Sequence, residues 1–153
     1  MSVSGRAEEP VYVDQVDPTT AFEMLKAQPG AELVDVRTIA EWSFVGVPNL
    51  EAIGKECIFV EWATFPEMTQ NHAFADSVLS RIDLEKVSHI LFLCRSGVRS
   101  LHAANLMTSI LEGEGRTVSC LNIAEGFEGD LDADRHRGLK TGWKARALPW
   151  RQT

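Results

Sequence analysis

The feature that most constrains the fold of this chain is an apolar run, residues 87–93, that ends directly at Cys94. A short polar loop follows, and apolar residues then recur at spacings of three and four over residues 98–112, which predicts a helix. A buried strand that passes through a tight loop into a helix forms an anion cradle, because free backbone N–H groups and the helix dipole point at one spot. A thiol at Cys94, flanked by Arg95 and Arg99, is expected to lose its proton readily and to act as a nucleophile.

The rest of the sequence alternates short apolar runs with amphipathic segments. Further strands are predicted over residues 10–16, 32–36, 57–60 and 117–123. Helices are predicted after the N-cap Asp17, after the capping box Thr38–Glu41, and over residues 71–81. This alternation predicts an α/β fold: a doubly wound, mainly parallel five-stranded sheet with helices on both faces. Cys94 then lies at the carboxyl end of a strand, where such folds place their active loops.

The length of 153 residues fits one domain. Residues 1–9 are predicted to be a disordered tail and residues 10–153 a single domain. Residues 46–49 have the composition of a turn. Near the end of the chain, Trp143 and Trp150 are expected to anchor the C-terminal segment to the core.

The charge and the cysteine count exclude several classes of function. The formal net charge is −7 and there is no basic run, so nucleic acid is not expected as a partner. The apolar runs are too short to span a membrane, and the first residues lack the apolar core of a secretory signal, so a cytoplasmic protein is predicted. Three cysteines without CxxC spacing argue against a disulfide framework and a zinc site, and no metal or cofactor is expected.

Several segments together resemble the single-domain rhodanese family of sulfurtransferases. They are Asp35-Val36-Arg37 followed by Glu41-Trp42, then Gly46-Val47-Pro48-Asn49, and the loop Cys94-Arg-Ser-Gly-Val-Arg-Ser100. The ending 142–150 is similar to that of small bacterial rhodanese-like proteins. The resemblance implies a doubly wound α/β fold and a cysteine that takes the outer sulfur of thiosulfate and passes it to a thiophilic acceptor.

The resemblance also implies roles for individual residues. Cys94 matches the nucleophile that forms the persulfide. The residues that match the substrate-binding loop around the sulfur are Arg95, Ser96, Gly97, Val98 and Arg99. The residues that match positions bracing the active-site side of the fold are Asp35, Arg37 and Glu41, and Arg37 and Glu41 are also spaced as an i, i+4 ion pair. The implied partners are a small sulfur donor, thiosulfate or a persulfide, and a thiophilic acceptor, with a protein acceptor left open.

Two other functions fit parts of the pattern. Tyrosine and dual-specificity phosphatases also set a cysteine in an anion loop, but they place five residues between cysteine and arginine where this chain has four. A phosphatase needs a general acid as well, and Asp130, Asp132 and Asp134 lie in a suitable late loop. Rhodanese-like domains that lack the cysteine serve as binding modules, whereas Cys94 is present here.

The remaining cysteines have simpler interpretations. Cys120 is expected to be a buried, inert thiol in the last strand. Cys57 is either a resolving thiol that accepts sulfur from Cys94 or a packed side chain, and the apolar residues after it favour packing. Residues 46–49 and 125–129 depart from the usual rhodanese sequences near the expected mouth of the pocket, which leaves the identity of the acceptor open.

Overall fold

The computed structural model of the chain describes residues 13–152. The predicted disordered tail, residues 1–9, and the first residues of the strand predicted over 10–16 lie outside the described residues. Among the helices that are described, none has the length and the apolar character needed to cross a membrane.

Short strands and four α-helices alternate along the described chain. The strands are β1 (Asp14–Val16), β2 (Ala31–Asp35), β3 (Val47–Pro48), β4 (Ile58–Phe59), β5 (Ala63–Thr64), β6 (Thr69–Gln70), β7 (His89–Leu93), β8 (Ser119–Ile123) and β9 (Trp150–Arg151). The helices are α1 (Pro18–Ala27), α2 (Ile39–Phe44), α3 (Phe74–Ser80) and α4 (Val98–Gly113), with a 3-10 turn at Glu51–Ile53.

Five of the strands form one parallel sheet in the order β1–β8–β7–β2–β4. The predicted α/β fold with a parallel five-stranded sheet is therefore confirmed. The last residue of β7, Leu93, lies level with Asp35, the last residue of β2. The carboxyl ends of these neighbouring strands thus meet at one edge of the sheet, and the Cys94 loop begins there.

Helices cover both faces of this sheet, as a doubly wound fold requires. On one face, Leu25 of α1 shares an apolar cluster with Leu91 of β7. On the other face, Phe74 of α3 and Met107 of α4 share a second cluster with Phe92. Leu91 and Phe92 are consecutive residues that serve opposite clusters, because successive side chains of a strand point to opposite faces.

The helix starts were predictable from local sequence. The Asp17 carboxylate accepts the Thr20 N–H at 2.7 Å at the start of α1. At the start of α2, Thr38 Oγ1 accepts the Glu41 N–H at 3.2 Å and the Glu41 carboxylate accepts the Thr38 N–H at 3.1 Å. Both halves of the predicted capping box are therefore formed.

Two short antiparallel pairs were not predicted. Residues 46–49 were expected to be a turn, but Val47–Pro48 is a strand that pairs with β9 near the C-terminus. The expectation was wrong because the partner strand lies about a hundred residues away, and local composition carries no sign of it. The pair β5–β6 is a small hairpin whose tip, residues 65–68, is exposed.

The C-terminal segment is held by its tryptophans in different ways. Trp143 is fully buried and its indole N–H donates to the Pro149 carbonyl at 2.7 Å. Trp150 is partly exposed, and the Lys144 ammonium lies 4.0 Å from the centre of its ring. Trp143 is thus a core anchor, whereas Trp150 holds the segment through the backbone pairing of β9 with β3 and the edge-on contact of its ring with Phe127.

A buried ion pair lies where β2 ends. The Arg37 guanidinium donates to both oxygens of Asp35, at 2.9 Å and 2.6 Å, and to the Gly46 carbonyl at 2.9 Å. Burial acts to lower the pKa of Arg37, but the charge and hydrogen bonds of Asp35 outweigh it and raise that pKa above its ordinary value. The expected i, i+4 ion pair between Arg37 and Glu41 is not formed, because Arg37 turns inward to Asp35 and Glu41 pairs elsewhere.

Replacing Arg37 should be costly for stability. We expect Arg37→Ala to lower the free energy of unfolding by about 3–5 kcal/mol, because it leaves the Asp35 carboxylate buried without its partner. Urea denaturation of the variant and the wild-type protein measures this difference.

Two further variants test whether the unpaired Asp35 carboxylate causes the loss of stability in Arg37→Ala. Lys26→Ala removes a solvent-exposed ion pair with Glu23 and should change the free energy of unfolding by about 1 kcal/mol or less. The double variant Asp35→Leu with Arg37→Met should be more stable than Arg37→Ala, because neither charge remains. An Arg37→Ala variant no less stable than Lys26→Ala would contradict this role for the buried pair.

Candidate active site

Cys94 follows β7 directly, and its side chain is almost closed to solvent, with 1% of the residue exposed. Within residues 13–152, its sulfur has two hydrogen-bond partners: Gly97 N–H at 3.1 Å and Ser100 Oγ at 3.2 Å. Gly97 has a φ of 113°, which suits only glycine, and α4 begins at the next residue. The tight loop therefore turns the chain back so that the start of α4 faces the sulfur.

Ser100 was not predicted as a site residue, yet its side chain is fully buried against Cys94. Its Oγ lies 2.5 Å from Asn122 Oδ1. The Asn122 amide is oriented by two donor contacts of its Nδ2, with Gln15 Oε1 at 3.0 Å and Gly97 O at 3.1 Å, so Oδ1 must be the acceptor. A hydroxyl has one proton, and Ser100 can therefore donate either to Asn122 or to the Cys94 sulfur.

Ser100 can therefore form a hydrogen bond with the Cys94 sulfur both when the sulfur is a neutral thiol and when it is an anion. A neutral Cys94 thiol can donate its S–H to Ser100 Oγ while Ser100 donates to Asn122. A thiolate or a persulfide anion has no proton to give, and Ser100 can then turn its own proton to the sulfur. Its place in the sequence could have indicated this role, because Ser100 is the third residue of α4 and lies in the first turn of the helix that follows the cysteine.

Arg99 and Glu41 form a two-contact ion pair across the site. The guanidinium donates to both carboxylate oxygens of Glu41, at 2.8 Å and 2.9 Å. Burial acts to raise the pKa of Glu41, but the hydrogen bonds and charge of Arg99 lower that pKa below its ordinary value. The resulting stabilisation is present above the ordinary carboxyl range and is lost as the pH falls through the lowered pKa. Arg99 thus reaches α2, rather than standing free beside the sulfur.

The side chain of Arg95 is exposed, whereas its backbone carbonyl accepts two hydrogen bonds. Its carbonyl accepts the N–H groups of Glu128 and Gly129 at 3.0 Å and 3.1 Å. A side chain at Gly126 would clash with the Arg95 carbonyl oxygen, and Gly126 has a φ of 69°. The turn after β8 packs this closely under the Cys94 loop because position 126 is a glycine.

The other two predicted loop residues lie farther from the chemistry. The side chain of Ser96 is half-buried, and neither it nor Val98 is a hydrogen-bond partner of the sulfur. Val98 is exposed at the first position of α4. Of the five predicted binding residues, the structure therefore brings the backbone of Gly97 to the sulfur and places the side chains of Arg95 and Arg99 at the pocket.

A pocket of about 490 Å³ opens over this loop. It lies between α2, the tip of the β5–β6 hairpin and the two arginines. The walls include Ala40 and Glu41 from α2, Phe65 and Met68 from the hairpin, and Arg95 and Arg99 from the loop. Cys94 itself does not line this pocket, but its loop neighbours Arg95 and Arg99 do, so the pocket lies beside the cysteine loop.

The other two cysteines are poorly suited to act as nucleophiles. Burial raises the pKa of Cys120 to about 11. Burial, with the charge of Asp35, raises the pKa of Cys57 well above the ordinary thiol value. Both therefore stay protonated at neutral pH, and the thiolate is the reactive form of cysteine.

The late aspartates are placed as turn residues. Asp132 Oδ1 accepts the N–H groups of Asp134 and His136, both at 2.9 Å. The His136 N–H in particular lowers the pKa of Asp132. None of Asp130, Asp132 and Asp134 is among the residues lining the described pocket, so none of these three is placed to act as a general acid there.

The chain is similar in sequence to proteins from other organisms. No protein-family profile matches it. It is 45% identical to Rv0390 from M. tuberculosis, whose crystal structure superposes with a TM-score of 0.80 over 94% of this chain and 100% of that one. It is 40% identical to the uncharacterized protein RC0915 of Rickettsia conorii, over 90% of this chain and 97% of that protein.

A more distant solved structure has the same fold. The polysulfide-sulfur transferase homodimer from Wolinella succinogenes is 16% identical and superposes with a TM-score of 0.53, over 92% of this chain and 80% of that one. This similarity concerns the fold alone. With identities of 45% and 40%, the chain belongs to the same family as Rv0390 and RC0915, and its parallel sheet with the loop at Cys94 has the rhodanese-like fold.

Proposed function

We propose that this protein is a sulfurtransferase that carries a sulfane sulfur on Cys94 as a persulfide. The observation that carries the proposal is the setting of the Cys94 sulfur. It lies at the end of the central strand β7, against a loop amide and a hydroxyl at the start of α4. These groups stabilise an anion on sulfur, both as the attacking thiolate and as the persulfide product.

The first half-reaction transfers one sulfur atom to the enzyme. The Cys94 thiolate attacks the outer sulfur of the donor, a new bond forms between Sγ and that sulfur, and the donor's own sulfur bond breaks. The bonding electrons leave with the donor remainder, which is sulfite when the donor is thiosulfate. In the second half-reaction a thiophilic acceptor takes the outer sulfur, and Cys94 returns to the thiolate without an oxidant or a reductant.

Competing functions fit the contacts less well. A phosphatase would need a larger loop for a tetrahedral phosphate and a general acid at the pocket. Here four residues separate Cys94 from Arg99, and Asp132 is engaged in its own turn. A purely binding module would have no use for a cysteine whose sulfur is held by two donors, and rapid reaction of Cys94 with iodoacetamide would distinguish the enzyme from such a module.

We also propose the sulfur donor, the sulfur acceptor and the compartment in which the protein works. The donor is thiosulfate or a persulfide, and the acceptor is a thiophilic small molecule or a protein thiol. All three cysteines are free thiols, which suits a reducing compartment such as the cytoplasm.

The central test is the mass of the protein after exposure to a donor. Incubation with thiosulfate or inorganic polysulfide should add the mass of one sulfur atom to wild-type protein and none to Cys94→Ser, because a hydroxyl cannot form a persulfide. Intact-mass spectrometry with peptide mapping locates the added sulfur, and cyanide should remove it again.

Cys57→Ser is the matched control, and it should gain and lose the sulfur as the wild-type protein does. If Cys94→Ser still gained sulfur, another thiol would be the nucleophile. If no donor added mass while an aryl phosphate was hydrolysed through Cys94, the protein would be a phosphatase.

Ser100 should matter for the rate of sulfur loading. Removing a hydrogen bond to a charged group costs about 1.5–3 kcal/mol, so Ser100→Ala should slow persulfide formation roughly ten- to a hundredfold. Stopped-flow mixing with polysulfide measures this rate.

Ser109→Ala provides the control, because Ser109 lies on the same helix but is exposed. It should load at the wild-type rate. Equal rates for Ser100→Ala and wild type, with an intact fold by circular dichroism, would exclude a role for Ser100 in holding the sulfur anion.

A further inference from the structure

The pocket over the Cys94 loop is larger than thiosulfate requires. Its volume is about 490 Å³. If each heavy atom of thiosulfate took the roughly 30 Å³ that a water molecule has in the liquid, the whole ion would fill roughly 150 Å³. Pockets of about 300–1,000 Å³ ordinarily hold organic ligands.

The outer wall of this pocket is apolar and exposed. The hairpin tip presents Phe65 and Met68, which are 64% and 43% exposed. Opposite them, α2 and its C-cap contribute Ala40 and Val45. A ligand with an apolar body would remove this surface from water, which favours its binding, whereas an inorganic anion would leave it exposed.

The charges that line the pocket cancel. Arg99 is held by both of its contacts with Glu41, and the positive charge of Arg95 is opposed by Glu128 at the same pocket. The charged side chains that line the pocket therefore give a doubly charged anion no net attraction, and such an anion must compete with Glu41 for Arg99. A donor that is bound mainly through an apolar body depends less on Arg99.

We propose that the preferred sulfur donor of this site is a small organic persulfide, R–S–SH, with an apolar body R that lies against Phe65 and Met68. This rests on the proposed sulfurtransferase function and specifies its donor. A small molecule rather than a protein is favoured because Cys94 is 1% exposed, so the donor sulfur must enter a recess.

The chemistry of loading balances with this donor. The Cys94 thiolate attacks the outer sulfur of R–S–SH, the bond between Sγ and that sulfur forms, and the bond within the donor breaks. The electron pair leaves on the thiolate R–S⁻, and the proton stays on the transferred sulfur. The apolar body R of the leaving group lies against the hairpin side chains, and its thiolate sulfur departs to solvent with the electron pair.

The test compares two donors on the full-length protein. The second-order rate constant for sulfur loading on Cys94 is measured by mass spectrometry with benzyl persulfide, generated in situ, and with thiosulfate. The double variant Phe65→Ala, Met68→Ala should lose roughly tenfold with benzyl persulfide and change by less than about twofold with thiosulfate. Phe44→Ala is the matched control, since Phe44 is 82% exposed but does not line the pocket.

Two variants that replace acidic residues with neutral ones test whether these carboxylates hinder the use of thiosulfate. Glu41→Gln should raise the thiosulfate rate constant roughly tenfold, because it frees Arg99 for the anion. Glu128→Gln, which leaves the α2 capping box intact, should raise it as well. Neither should speed loading from benzyl persulfide.

The outcomes separate this inference from the proposed function. If Cys94 loads from both donors but the hairpin variant slows neither, or slows both equally, the donor assignment fails and the sulfurtransferase stands. A persulfide on a folded carrier protein that loads Cys94 much faster than benzyl persulfide would also overturn the small-molecule donor. If no donor loads Cys94, the proposed function fails with it.

Discussion

The buried contacts of Arg37 hold together the parts of the chain on which the site depends. Its guanidinium binds Asp35 at the end of β2 and the Gly46 carbonyl before β3, and its centre lies 4.2 Å from the middle of the Phe127 ring. The Phe127 N–H in turn donates to the Cys94 carbonyl at 2.8 Å. The Arg37 guanidinium therefore contacts three parts of the active-site edge: the end of β2, the segment before β3, and the turn at Phe127 beneath Cys94.

Glu41 connects local helix chemistry to the site. The capping box that begins α2 already fixes its carboxylate by contacts with Thr38. The same carboxylate then receives the fork of Arg99 from α4. Because both helices start at the active-site edge, one side chain sets the distance between the two walls of the pocket.

What could be predicted from sequence was mostly local. The N-cap at Asp17, the capping box at Thr38, the helix after Cys94 and the parallel sheet each follow from spacings within a few residues. The contacts that were missed join distant positions. Asn122 lies in an apolar strand, and nothing near it in sequence indicates that it meets Ser100. Likewise, the pairing of Arg99 with Glu41 spans 58 positions, so the closer Arg37 was the natural but incorrect partner for Glu41.

The orientation of the Asn122 amide has a consequence for local opening of the structure. One of its donor contacts is with Gln15 on β1, a three-residue strand at the edge of the sheet. In native-state fluctuations, segments near the chain termini open at a lower free energy than core strands and helices. The second contact, with the Gly97 carbonyl, comes from the cysteine loop itself. If β1 were to open, the contact with Gly97 alone would still orient the Asn122 amide and keep its Oδ1 directed at Ser100.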